Sequence, residues 1–223
     1  KIDDNFKLMK AQLVFSPDRP KPIIRLNSQV KGQILAIAKG GIKSGEIITA
    51  DQVVGIKGYI PKDDKKNKNK GIMTLIRIKD QWFLDCDMRY NKDKCKEIIV
   101  AAKEFYSTAE NAKRDGNRRP IFENCFAAAE LATKAILGTL PHKMIKEKSH
   151  EATLKALEKW SKLGNIDSKY VDCLRKLNKI RSAARYMASK DHEKTDAELV
   201  LSLVGEMIEI ASRGVSPTVY LSK

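Results

Sequence analysis

Hydrophobic positions follow two different periods along this chain, and the change falls close to Tyr90. Up to that point the apolar residues form short runs between turn formers. Leu13-Val14-Phe15 precedes a break at Pro17, Pro20 and Pro22; Ile23-Ile24, Ile34 to Ala38, Ile47-Ile48, Val53 to Ile56 and Tyr59-Ile60 follow, with a turn at Gly40-Gly41. β-Branched runs separated by Gly and Pro signals at this spacing predict strands. The clearest pair is Ile72–Ile78 with Gln81–Asp85, joined at Lys79-Asp80. Side chains alternate across a strand, so Ile72, Thr74, Ile76 and Ile78 share one side and Met73, Leu75 and Arg77 the other. Apolar residues on both sides predict a strand covered on both faces. Residues 1–91 are therefore expected to form a small β-rich domain, a barrel or a sandwich-like sheet.

Beyond Tyr90 the apolar residues recur with a helical period. The first predicted helix spans Asp93–Arg114, with Ile98, Ala101, Ala102, Phe105 and Ala109 on its stripe, and Asp115-Gly116-Asn117 stops it. The second opens near Pro120, carries Phe122, Cys125, Phe126, Ala129, Ala132 and Ile136, and ends at Gly138 and Pro141. Ser149 caps the third, which turns Leu154, Leu157 and Trp160 inward and closes at Gly164. Ser168 caps the fourth, with Val171, Leu174, Leu177, Ala184 and Met187 inward. Thr195 caps the fifth, Glu198 completing a capping box, and its stripe is Val200, Leu203, Val204, Met207, Ile208 and Ala211. Short connections make such helices an antiparallel bundle. The predicted fold class is α+β: a β-rich domain over 1–91, then a five-helix bundle over 92–223.

Charge changes the picture more than composition does. The chain has 43 Lys and Arg against 28 Asp and Glu, a net charge of +15. Both parts share it, with 18 basic and 10 acidic residues through Asn91 and 25 and 18 beyond it. A surplus of this size favours polyanionic partners, RNA or DNA above all, because neutralised phosphates release counterions. The plainer reading is a lysine-rich surface from an organism with A/T-rich coding. Aromatic residues at 6% leave little for a base-stacking platform. The segment from Pro61 to Gly71 has no apolar residue and reads as a loop; either Lys65, Lys66, Lys68 and Lys70 reach phosphates or they are simply solvated.

Other chemistries find little support. Cys86, Cys95, Cys125 and Cys173 are scattered, with no C-x-x-C and no His at zinc spacing, which reads as reduced thiols in a cytoplasmic protein. No apolar run could span a bilayer and no signal-type segment follows the basic start, so no membrane partner is expected; Lys1 in place of Met reads as a trimmed chain. There is no G-x-S-x-G, Walker loop, H-E-x-x-H or Asp-rich cluster, and Gly40-Gly41 is too short for a phosphate cradle. Neither a cofactor nor a metal is expected.

What chemistry there is gathers on the fourth predicted helix. Arg181 lies on or beside its buried stripe, with Asn178 one turn back and Arg185 one turn on. If the helix persists, His192 follows two turns after Arg185 on the same face. An Arg with a His can bind a phosphate and exchange a proton with a ribose hydroxyl, the requirement for RNA cleavage without a metal. Two bland readings stand beside this one: Arg181 pairs with a buried carboxylate such as Glu130, and His192 sits in a polar link beyond the helix end. His142 and His150 read as loop and cap residues.

Three stretches carry a family likeness: Ala127 to Leu137, Leu154 to Trp160, and Leu174 to Tyr186. Together they resemble the HEPN domains (higher eukaryotes and prokaryotes nucleotide-binding) over about residues 93–213. The resemblance implies an antiparallel helical bundle that dimerises across its fourth helix. Many such proteins are ribonucleases of toxin–antitoxin, phage-defence or CRISPR systems, using an Arg, four to six intervening residues and a His. Arg185 and His192, with six between, fit the longest spacing and would be the catalytic pair. Tyr186 departs from the polar residue common after that Arg. Other members lack the His, carry an Arg-Tyr pair and act as nucleotide-binding or accessory partners; Ala184-Arg185-Tyr186 is closer to those. The expected protein is thus a homodimeric binder of RNA or nucleotide, or a subunit docking on a protein partner, with Asn178, Arg181, Arg185 and Tyr186 at its site. A ribonuclease using Arg185 and His192 is the alternative, and a dimerisation module without ligand the third reading.

Overall fold

The structure is a computed structural model that describes residues 6–43, 46–62, 69–140, 149–186 and 191–216; for residues 50, 61, 182–186, 191 and 192 it describes the backbone alone. The chain divides into two compact units, one ending at Tyr90 and the other covering Asn91–Ser216.

The first unit contains β1 (Lys10–Phe15), β2 (Ile23–Leu26), β3 (Gly32–Ala38), β4 (Val53–Pro61), β5 (Gly71–Ile78) and β6 (Gln81–Asp87). All ladders are antiparallel, in a four-stranded sheet of order β2-β1-β5-β6 and a ribbon β3-β4. β5 and β6 form the predicted hairpin, whose two-residue turn has Lys79 at φ 55°, the left-handed region that tight hairpins demand. Burial on β5 is unequal: Thr74 and Ile76 are buried, whereas Leu75 and Arg77 on the other face are only half-buried. A closed barrel does not form, because no ladder among the described residues joins the ribbon to the sheet. Register shifts at Leu35/Ala36 and Ile37/Ala38 twist the ribbon instead. The two sheets share a small core of Val30, Tyr59 and Ile76. Beside it, buried Gln12 is satisfied on both ends: its amide donates to Thr74 Oγ1 at 3.1 Å and its carbonyl accepts from Arg25 Nη1 at 3.1 Å.

The second unit is the predicted helical bundle: α1 (Lys92–Arg114), α2 (Arg118–Gly138), α3 (His150–Lys162), α4 (Ser168–Tyr186), α5 (Asp191–Lys194) and α6 (Ala197–Val215). Four-residue α5 is too short for a periodic signal and was absent from the five-helix expectation. α2 is the centre, packing against α1, α3, α4 and α6. It is buried nearly all round, as a helix surrounded by others must be, and Ala128, Ala129, Ala132 and Ala135 let the neighbours approach closely. On α1 predicted Ala102 and Ala109 are buried, Ile98 packs against the core and Ile99 is buried beside it, while predicted Phe105 is 41% exposed. The stripes on α4 and α6 hold, with Val171, Leu174, Leu177, Val200, Val204, Met207, Ile208 and Ala211 buried. Ala184 and Met187 lie outside the described side chains. No helix among the described residues is long and apolar enough to cross a membrane.

Helix ends follow the local chemistry. Gly116 (φ 74°) donates to Lys113 O and Asn117 to Ala112 O, at 3.1 and 2.8 Å, closing α1 with paired reversed bonds; Gly164 (φ 77°) does the same for α3. Ser149 Oγ accepts from Ala152 N at 3.1 Å and caps α3 as expected. Two predicted caps shift by one residue. Asp167, not Ser168, accepts from Lys169 N at 2.9 Å, and Asp196, not Thr195, accepts from Glu198 N and Leu199 N at 2.9 and 3.1 Å. A carboxylate suits the positive end of the helix better than a hydroxyl. Asp196→Ala should lower unfolding stability by about 1 kcal/mol in a urea titration.

α4 and α6 are joined by Glu206, whose carboxylate accepts from Lys169 Nζ at 2.6 Å and from the Tyr170 hydroxyl at 2.7 Å. The Lys169 bond above all, then that from Tyr170, holds the Glu206 carboxyl below its ordinary 4.5. A lowered carboxyl favours the folded state above its ordinary pKa and loses that contribution as pH falls through the folded value. Glu206→Gln should therefore make the decline in urea stability below pH 4.5 shallower than in the parent protein.

Candidate functional site

One face of α2 interrupts its apolar surface with a carboxylate. Glu130 is 7% exposed, and a charge so placed needs partners. It has two: Oε1 accepts from Lys134 Nζ, one turn on, at 3.0 Å, and lies 2.7 Å from His150 Nδ1. His150 is the first residue of α3, fixed just beyond the Ser149 cap, and its ring stands edge-on to Phe126 with centroids 5.2 Å apart. Phe126 precedes Glu130 by one turn of α2.

Arg181 completes the group from α4. Its guanidinium carbon lies 4.3 Å from the centroid of the Phe126 ring, within cation–π range, and Nη1 is 3.3 Å from His150 Nε2. A guanidinium only donates, so Nε2 accepts here and Nδ1 carries the hydrogen that points at Glu130. Arg181 Nε is buried without a hydrogen-bond partner among the described residues, which costs stability. The helix thus holds this guanidinium where its own bonding is incomplete.

The arrangement joins an oriented imidazole to a fixed cation. Among the described residues, Lys134 and Arg181 stand against the one carboxylate of Glu130, a surplus of positive charge suited to an anion. The His150 side chain is 47% exposed, open to a ligand, while Glu130 beneath it is not. Such a pair can hold a phosphate oxygen on Arg181 and move a proton at Nε2.

Several expected site residues stand elsewhere or outside the description. Asn178 and Arg181 are half-buried on α4. Arg185 and Tyr186 belong to α4 and His192 to α5, but their side chains lie outside the described residues, as do Lys65, Lys66 and Lys68. Lys70 is half-buried just ahead of β5. The expected pairing of Arg181 with Glu130 is indirect: His150 stands between them. His150 is therefore more than a cap residue. Its signal in the sequence was a histidine directly after a helix cap, 20 positions beyond a lone acid on an Ala-rich face.

Other groups offer less. Burial pushes the thiols of Cys95, Cys125 and Cys173 up to about 11, 12 and 11, so they are protonated and unreactive near neutrality. Among the described residues no group of three or more His, Cys, Asp or Glu is placed to hold a metal ion. A cleft of about 450 Å³ lies between the α1–α2 turn and the start of α6. Two of its cations serve the fold: Lys113 pairs with Glu198 at 2.8 Å, and Arg118 donates to Thr195 O at 2.7 Å.

The polar group of the helical unit is built where α2, α3 and α4 meet. The HEPN domain model matches residues 95–214, more than half of the chain, and the chain belongs to the HEPN domain family. No curated protein and no solved structure matches the chain. Glu130→Ala would strip Lys134 and His150 of their shared acceptor. A loss of about 1–2 kcal/mol in urea stability is expected, limited because both partners can still reach water.

Proposed function

We propose that this HEPN protein binds RNA or a nucleotide through phosphate contacts centred on Arg181. The observation that carries the reading is the guanidinium itself: it is laid against Phe126, and its neighbour is the His150 imidazole rather than a carboxylate. A fixed arginine with no carboxylate partner among the described residues is a ready phosphate ligand. Asn178, Arg185 and Tyr186, on the same helix, are the further proposed ligand contacts. Lys65, Lys66, Lys68 and Lys70 add sequence-independent affinity, in keeping with the net charge of +15. The proposed context is a cytoplasmic accessory, defence or toxin–antitoxin component, built as a homodimer through the helical unit and docking on a protein partner, with the basic β-rich domain of residues 1–91 supporting nucleic-acid affinity.

The second reading is a ribonuclease in which Arg185 orients the phosphate and His192 exchanges the proton. It rests on their spacing, and Tyr186 directly after Arg185 favours the first reading over it. Loss of RNA cleavage in both Arg185→Ala and His192→Ala would establish it.

Fluorescence anisotropy with a labelled single-stranded RNA and with a nucleotide tests the first reading. Affinity should fall steeply as salt rises from about 50 to 200 mM. Arg181→Met, which keeps the packing on Phe126, should weaken binding roughly tenfold or more and reduce the salt slope by about 1. Absence of binding to both probes, or binding indifferent to salt, would sink the proposal. A monomer in sedimentation velocity would remove its dimeric part.

A further inference from the structure

We infer that the open face of the four-stranded sheet docks a protein partner through an amphipathic helix whose apolar stripe is flanked by acidic residues. The inference rests on the partner-docking part of the proposed function, and it names the surface and the partner's chemistry. It does not depend on the phosphate contacts of Arg181. The ladder registers define the face. Ile24, Leu13, Met73 and Cys86 form one row across β2, β1, β5 and β6; Leu26 and Leu84 end the next row, and Arg77 lies opposite Trp82 in a third. The other side of the sheet holds Gln12, Val14, Thr74 and Ile76, all buried. β5 carries apolar residues for both sides, and only that side is covered. An antiparallel sheet with one open face normally turns polar residues outward. Here Ile24 and Leu84 stand 64 and 62% exposed, and Leu26 and Trp82 are exposed beside them.

Size and charge select the occupant. Four strands about 4.8 Å apart and about six residues long make a face about 20 Å on each side, roughly 400 Å². A contiguous apolar patch of that size is often a binding surface. A helix rises about 1.5 Å per residue, so about 14 residues cross it. Among the described residues on this face Arg77 is the one that carries a charge; it pairs with Asp80 at 3.1 Å and lies 6.0 Å from the Trp82 ring centroid. Asp85, opposite buried Thr74, belongs to the other side. At the strand ends Lys7, Arg19, Lys21 and Lys79 are exposed against Asp18 and Asp80, in a unit with 18 basic and 10 acidic residues through Asn91. An apolar stripe flanked by Asp and Glu complements that arrangement. A second copy of this chain would set like charge against like. Two such faces would bury about 800 Å², the size of a transient interface and short of a stable dimer's.

The test uses the full chain and two cross-linked helical peptides of about 14 residues. One has a leucine stripe flanked by glutamates, the other the same stripe flanked by lysines. Anisotropy of the labelled peptide reads binding, and maleimide alkylation of Cys86 reads the face. Cys86 is exposed and lies on it, whereas Cys95, Cys125 and Cys173 are buried. The acidic peptide should bind and slow Cys86 alkylation, and the basic peptide should bind about tenfold or more weakly by comparison. Ile24→Gln combined with Leu84→Gln should weaken the acidic peptide about tenfold or more, with circular dichroism and the urea midpoint unchanged.

No docking of the acidic peptide on the folded chain would overturn the inference, as would equal binding of both peptides. Docking that persists in the double variant would overturn this face while leaving a partner site elsewhere on the chain. A Cys86 that resists alkylation in the free, folded chain would show the face already covered and overturn it too. Two other occupants have their own signatures. Self-association of the free chain, promoted by salt and lost in the double variant, would replace the partner with a second copy. Phosphatidylserine vesicles that bind the chain and displace the peptide would replace it with a lipid surface, and either result overturns the inference. RNA anisotropy on the same samples judges the phosphate reading separately, so the two failures are told apart.

Discussion

A carboxylate on the most enclosed helix of the bundle sets the terms for the residues around it. Glu130 sits on α2 with little access to water, and an unpaired charge there would be far costlier than any single apolar contact could offset. The fold satisfies it with one cation from its own helix and one imidazole from the start of the next. That second bond ties the first turn of α3 to α2, because His150 can reach Glu130 only if the Ser149 cap places it. Once His150 is fixed, the position of Arg181 on α4 follows from packing on Phe126. Three helices are thus registered to one another around a single acid.

The alanine seam makes this possible. Ala128, Ala129, Ala132 and Ala135 leave α2 without bulk, so its neighbours come close and short side chains can span the gaps. With larger residues in the seam, α3 and α4 would stand farther from α2, and a bond as short as that between Glu130 and His150 would not form. The same closeness shields the acid, so packing and electrostatics are aspects of one constraint. The Glu206 cluster with Lys169 and Tyr170 does similar work between α4 and α6, but nearer solvent, where such pairs contribute less.

Much of this was legible from residue pattern. Amphipathic period, Gly116 and Gly164 as stops, and Ser149 as a cap all depend on chemistry within a few positions, and all appear where the local rules place them. The two displaced caps show the limit of those rules: Ser168 and Thr195 each follow or precede an acid, and only geometry decides which oxygen reaches the helix amides. Phe105 read as inward because the stripe on α1 is broad, yet it is exposed while Ile99 is buried. In the first unit the hairpin at Lys79 was evident, whereas the β1 pairing with β5 joins segments some sixty residues apart, as the bond between Gln12 and Thr74 shows. No local signal encodes such a pairing. His150 was hidden for the same reason, its meaning being supplied by Glu130 and Arg181 from other helices.

The division between lysine and arginine in this chain bears on how the site would work. Lysines dominate the surplus charge, and a flexible ammonium in solvent attracts a polyanion without fixing its position. Such charges raise the rate of encounter and weaken as salt screens them. Arg181 differs in kind, because a ring face beneath it and an imidazole beside it restrict where its donors point. A phosphate gathered by the diffuse field would be oriented only on reaching that guanidinium. On the proposed reading, diffuse attraction is spread over many lysines, while the oriented contact is concentrated where α2, α3 and α4 meet. On the same reading, a change that neutralises surface lysines should slow salt-dependent encounter, and a change at Arg181 should remove the fixed contact and so weaken binding itself.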